Sequence, residues 1–186
     1  MQLLDAVNYV LPKLGEHQVT SLDARSPTLR ILLQLFEYHR QSVLRRGWWF
    51  NEGVHTLPLN PDSEVDLGED VLSIAATSGS NVARRGNKLF NAATQTYKFD
   101  VPVELRITLD LEWGMLPHAV QDWIKYSVLM DQLVADQGVT QELQIWEEAR
   151  ASAERQTLAE HLRSRKYSAK DSRRGRKIIS AIRGRV

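Results

Sequence analysis

At 186 residues, with 42% hydrophobic and 25% charged side chains, the chain has the composition of one ordinary globular domain, or of one domain carrying a sizeable insertion. It has no cysteine, which excludes disulfides, thiolate zinc sites and a cysteine nucleophile. No apolar run approaches about 18 residues, so no spanning helix is expected. The net charge of +1 hides an asymmetry: residues 163–186 hold ten Lys/Arg against one acid, Asp171, which leaves 14 basic and 22 acidic groups in the first 162 residues. An acidic body with a basic tail implies two surfaces with different partners.

The start, MQLLDAVNYVLPKLG, lacks a basic leader and a small-residue cleavage site and reads as mature protein. Leu3, Leu4, Val7, Val10 and Leu11 predict a short helix over 2–13, closed by Pro12 and Gly15. Residues 15–26 are polar and read as a loop. Ser26-Pro27 then supplies an N-cap and a first-turn proline. Leu29, Leu32, Leu33, Phe36 and Val43 follow at helical spacing, and Arg45, Arg46 and Gly47 close the segment, so a helix is expected over 27–46.

The next stretch, RRGWWFNEG at 45–53, admits two readings. Arginines beside exposed rings make a stacking platform for nucleic acid. The same letters also describe a helix end followed by a strand that buries its rings. The second reading fits the helix signals better. If 48–50 is extended, Trp48 and Phe50 share one face in the core and Trp49 lies near the opposite surface or a subunit contact.

After Gly47 the apolar period changes from about 3.6 to 2. In VPVELRITLDLEW, 101–113, every odd position is apolar, which predicts one strand with a buried and a wet face. Shorter strands are expected at 54–59, 71–77, 82–85 and 88–99, with turns at 60–63, 78–81 and 84–87. Pro117 is expected at the first position of a helix that runs to about Asp136, carrying Val120, Trp123, Ile124, Leu129, Leu133 and Val134 on a broad apolar face. Gly138 breaks the chain, Thr140 is a candidate N-cap, and a charged helix is expected from 141 to about 165. Its apolar face is thin (Leu143, Trp146, Ala149, Ala153, Leu158, Leu162), so it is expected to lean on a neighbour, including a neighbouring subunit. From Ser164 onward the chain is basic and serine-rich, and it is expected to be disordered when alone.

No catalytic or metal-binding motif emerges. Histidines 17, 39, 55, 118 and 161 are scattered, and each reads as an ordinary surface or loop histidine. There is no phosphate-binding glycine loop and no nucleophile elbow. The run DSEVDLGED, 62–70, fails the calcium-loop template because its glycine is seventh and its twelfth position is Ser73, and it reads as a solvated acidic loop. No enzyme is argued, and no cofactor or metal is expected. The basic tail has three readings: phosphate contacts with nucleic acid, docking on an acidic protein surface, or simple solubilisation.

Taken in order, PKLGEHQVTSLD (12–23), RRGWWFNEG (45–53), DVLSIAATSG (70–79), RRGNKLFNAATQTYKFD (84–100) and MLPHAVQDWI (115–124) carry a resemblance. Over roughly residues 5–150 the chain resembles the tail tubular protein A family, the gatekeeper or adaptor of short-tailed phages (podoviruses). The resemblance implies a non-catalytic head-to-tail connector in the virion tail, assembled in the host cytoplasm. It implies a ring, a dodecamer in the family, below the portal protein, with helices walling a channel through which DNA passes without sequence-specific binding. It also implies that the β part meets the tail nozzle protein and seats tail fibres, with no membrane involved. The segment 163–186 departs from the family pattern in being much more basic.

The resulting expectation is an α+β fold: a four-helix core (1–47 and 114–162), an inserted small antiparallel β unit (48–113) and a basic C-terminal extension (163–186). Portal docking is assigned to Arg163, Arg165, Lys166, Lys170, Arg173, Arg174, Arg176, Lys177, Ile178, Ile179 and Ile182. Nozzle or fibre contact is assigned to the loops carrying Asp62, Glu64, Asp66, Arg84, Arg85 and Lys88, and the core junction to Trp48, Phe50 and Trp123. The alternative is a cytoplasmic nucleic-acid-binding protein with an acidic body and a basic arm.

Overall fold

A computed structural model describes residues 1–77 and 81–165. Its fold is α+β. Four helices, α1 (Leu3–Val10), α2 (Pro27–Leu44), α3 (His118–Gln137) and α4 (Leu143–Ser164), enclose one hydrophobic cluster. Five strands, β1 (Glu52–Leu57), β2 (Val71–Ala76), β3 (Val82–Arg85), β4 (Lys88–Asn91) and β5 (Val103–Leu109), enclose a second, smaller one. The fully antiparallel sheet has the order β1-β5-β2, and β3-β4 is a separate hairpin. Val65, Val71, Leu89, Val103, Leu105 and Ile107 fill the space between these β elements.

α2 forms where local chemistry starts and stops it. The Ser26 hydroxyl accepts the Leu29 N–H at 3.2 Å, and Pro27 occupies the first turn. The helix ends at Leu44, two residues before the expected end, because Arg45 and Arg46 already belong to the closing turn. Gly47 sits at φ +73, where an L side chain is strained, and a Cβ there would fall on the Glu52 carboxylate. α3 is the central helix, with Val120, Trp123, Ile124, Val128 and Leu129 inside contacts to α1, α2 and α4. Pro117 is its N-cap, not its first residue, held at φ −56 and ψ 148.

α4 differs from expectation at its start and ends at Ser164, as expected. It begins at Leu143, and Thr140 supplies its main-chain carbonyl to the Leu143 N–H (3.2 Å), not a side-chain cap. Its buried seam is Leu143, Ala153 and Thr157, with Trp146 half-buried, while Leu158 and Leu162 lie on the exposed side. Thr157 is fully buried and returns its hydroxyl to the Ala153 carbonyl at 2.9 Å.

The expected long strand 101–113 narrows to 103–109 because its last two apolar residues join the other core. Leu111 packs on the helical cluster, and Trp113 enters a 3₁₀ turn, edge-on to Phe36 at 5.4 Å. The strand expected over 88–99 ends at Asn91, whose side-chain oxygen accepts the N–H groups of Ala93 (3.0 Å) and Thr94 (3.3 Å) and turns the chain. A bulge between Val71 and Ser73 directs Leu72 onto the helical cluster while Val71 stays in the β cluster.

Residues 48–51 are a turn, not a strand. The N–H groups of Asn51 and Glu52 both return to the Trp48 carbonyl, at 3.2 and 2.9 Å. Strand alternation therefore does not apply to the three rings. Trp48 is buried against Trp123 (5.8 Å, edge-on) and gives its indole N–H to the Val43 carbonyl at 2.7 Å. Trp49 and Phe50 are both half-buried at the margin of the helical cluster, edge-on to each other at 4.9 Å, so Phe50 does not share the core with Trp48.

Beneath the turn lies Asn51, 3% exposed. Its side-chain oxygen accepts the Trp48 N–H at 2.8 Å. Its amide donates to the carbonyls of Leu44, at the end of α2 (3.0 Å), and Leu109, at the end of β5 (2.9 Å). The Asn51 carbonyl in turn accepts the Leu109 N–H at 2.8 Å. One buried amide thus ties the helical and β elements together.

Asn51→Ala leaves the Trp48 N–H without its acceptor and takes a donor from the Leu109 and Leu44 carbonyls, of which Leu44 keeps the Gly47 N–H at 3.1 Å. Each buried group left without a partner costs about 1–3 kcal/mol. A loss of about 2 kcal/mol or more is expected by chemical denaturation. Trp48→Ala is expected to lose about 3–5 kcal/mol through the cavity it leaves, measured the same way, whereas Phe50→Ala is expected to lose clearly less.

Candidate assembly surfaces

The stacking-platform reading of 45–53 meets a direct obstacle. Trp48 is buried, and Arg46 is already engaged, its guanidinium 4.8 Å from the Trp123 ring and its Nη1 3.0 Å from Glu154 of α4. Of the two arginines in this stretch, Arg45 alone has no acidic partner among the described residues. A neighbouring ion-pair set reinforces the junction. Arg40 of α2 binds Glu37 at 2.8 Å and reaches across to Asp110 and the Leu111 carbonyl. Burial alone would lower the Arg40 pKa, but the two carboxylates outweigh it and raise it. Glu37 is lowered, first by the hydrogen bond from Arg40.

Most of the loop charges assigned to nozzle or fibre contact are partnered within the chain. Lys88 pairs with Glu64, which raises the lysine, and lies across from Asp66 in an isolated bridge. Asp66 also accepts the Asn60 amide at 2.9 Å. Arg84 bonds the carbonyls of Val71 and Gly86, and Arg85 lies 3.4 Å over the Phe90 ring. Asp62 is exposed. The segment 62–70 is also more than a solvated loop. Val65 and Leu67 are buried, and bonds from Leu67 N–H to Asn87 (2.8 Å) and from Leu89 N–H to Val65 (3.0 Å) bind it to the hairpin. Among the described residues, no cluster of three or more His, Asp or Glu could hold a metal ion.

At the root of the basic arm, Arg163 is exposed and Arg165 pairs with Glu52 of β1. Lys166, Lys170, Arg173, Arg174, Arg176, Lys177, Ile178, Ile179 and Ile182 lie outside the described residues. Two histidines are not ordinary surface groups. His39 of α2 meets Asp131 of α3 at 2.7 Å, and the His161 ring packs 5.4 Å from Trp48 and 6.1 Å from Trp49.

The sequence reading placed Leu158 and Leu162 on one thin face of α4 and left out Ile145, whereas the structure puts all three away from the buried seam. Ile145 is 65% exposed, Leu158 47% and Leu162 45%, on the side opposite the seam that packs on α3. Glu148, Ser152, Arg155 and Ala159 lie at 3-4 spacing between Ile145 and Leu162, so the exposed apolar groups are set among polar side chains. α2 adds two more exposed apolar residues, Ile31 (47%) and Tyr38 (65%), one heptad apart. The sequence reading merged the buried and exposed apolar residues of α4 into one face.

A helical body with apolar residues on two sides of one helix, an ion-paired β unit and a charged arm is the anatomy of a protein that assembles with others. The chain matches the family described as tail tubular protein over residues 4–167, which takes in every helix and strand of the fold except Leu3, the first residue of α1. It is similar to tail tubular protein A of Klebsiella phage KP34, with 27% identity over 182 residues that cover 97% of this chain and 98% of that protein. The chain therefore belongs to the tail tubular protein family and is a structural component of a phage virion tail.

Proposed function

We propose that this tail protein is the adaptor, or gatekeeper, between portal and nozzle: copies stand side by side in a ring through which DNA is ejected. The observation that carries the proposal is the outer side of α4. In a monomer Ile145, Leu158 and Leu162 stay in water, whereas a neighbouring copy packed on that side removes their apolar area from it. Residues 1–47 and 114–162 would form the ring body, and residues 48–113 would be the unit presented to nozzle and fibres. The acidic balance of the first 162 residues suits a channel wall, because repulsion of phosphate lets DNA slide. Within the β unit, Asp62 and the outward sides of the Glu64–Lys88 and Asp66 pairs are the groups offered for nozzle contact. The basic arm from residue 163 onward would dock on an acidic face of the portal. The role is structural, with no catalytic step.

The test mixes purified portal ring with three forms of the chain and images what assembles. Full-length protein is expected to form a ring on the portal. Removal of residues 166–186 keeps Arg165 and its Glu52 partner, so that form should fold normally yet fail to bind. Ile145→Glu with Leu162→Glu should leave thermal unfolding nearly unchanged, since both residues are exposed, while ring closure is lost. Stable binding by the truncated form overturns arm docking. Intact rings from the double variant overturn the α4 interface.

A further inference from the structure

The end of α4 is fastened to the β unit by a small group of contacts that the ring proposal does not use. His161 lies between two tryptophans, edge-on to Trp48 at 5.4 Å and tilted against Trp49 at 6.1 Å. Its Nδ1 accepts the main-chain N–H of Trp49 at 3.2 Å. One turn further on, Arg165 pairs with Glu52, the first residue of β1, and Arg106 of β5 approaches the same carboxylate at 3.9 Å. These contacts join the last turn of α4 to the 48–51 turn and to the sheet.

We propose that His161 is the acid-sensitive element of a latch between α4 and the β unit, closed while the imidazole is neutral and opened when it gains a proton. The chemistry follows from the atom that makes the bond. A neutral imidazole carrying its proton on Nε2 offers Nδ1 as an acceptor, whereas the imidazolium has a donor at both nitrogens. Protonation therefore sets an N–H against the Trp49 N–H and removes that group's partner.

The charged groups around the ring are Arg165 on its own helix, Glu52 from β1 and, behind Glu52, Arg106 from β5. Arg46 from the end of α2 is occupied by Glu154, two turns earlier on α4. The packed turn 48–51 contributes no ionisable side chain. Burial pushes the His161 pKa down and Arg165 pushes it the same way, with Glu52 opposing. A folded value below the ordinary imidazole value means that the stabilisation is fully present above the ordinary value and is lost as pH falls through the folded one. The inference does not rest on the adaptor reading, because the latch lies within one chain.

The test is hydrogen exchange on the full chain, read at the Trp49 amide and the last turn of α4, with rates corrected for the intrinsic effect of pH. Wild type is expected to lose protection as pH falls from neutral through the imidazole titration and then level off. His161→Asn, whose side-chain oxygen can accept the same N–H without titrating, is expected to keep protection at both ends of the range. Protection in wild type that does not change, or that falls equally in His161→Asn, overturns the latch. Should the variant not fold, the wild-type imidazole resonances decide. A titration midpoint below the ordinary imidazole value with the Nε2–H tautomer supports the latch. A midpoint at or above it, or an Nδ1–H tautomer, overturns it.

Discussion

The buried amide of Asn51 is the contact on which this architecture depends. A helical cluster and a β cluster, each with its own apolar interior, meet along a seam where Asn51 partners the Trp48 N–H just after α2, the Leu109 carbonyl at the end of β5 and, beside Gly47, the Leu44 carbonyl. An asparagine can supply one acceptor and two donors at a single point, and here it uses all three. The substitutions that this position can tolerate are correspondingly few. Aspartate has no amide to donate, and leucine answers none of the three groups. Gly47 and Trp48 complete the arrangement, one allowing the left-handed step out of α2 and the other closing the core over it.

The junction also sets the geometry available for assembly. Because α3 is packed between the other helices, α4 keeps one side in solvent, and Ile145, Leu158 and Leu162 are carried on the body's surface. The same helix ends against the β unit through His161 and Arg165, so the point from which the basic arm departs is fixed relative to both clusters. A member of the tail tubular protein family built this way has separate surfaces on one framework: the outer side of α4, a β unit and a charged arm.

Much of this was legible from residues alone, and the exceptions share a cause. α2 could be read because Ser26, Pro27 and Gly47 act within a few residues of the helix ends. The centre of β5 could be read because strict alternation has one interpretation. The failures arise where two cores compete for one apolar pattern. Leu111 and Trp113 continue the alternation of β5 but belong to the helical cluster, so period alone made the strand too long. In α4, Thr157 is buried and Leu158 exposed, a choice made by the position of α3 and invisible to hydropathy. Aromatic residues 48–50 looked like a strand because a turn leaves no periodic trace, and the asparagine that organises it is a single letter after them. For the loop charges, sequence shows the ions but not their partners, and Glu64, Lys88 and Arg84 are engaged within the chain.

The central physical claim is that one buried amide makes the helical and β clusters a single cooperative unit. Native-state hydrogen exchange across a denaturant series, following α3 and β5 amides together, tests it most directly. The account predicts that in wild type both sets converge on one opening free energy, and that in Asn51→Ala β5 separates to a lower one. It is contradicted if β5 already opens independently of α3 in wild type, with a free energy that Asn51→Ala leaves unchanged.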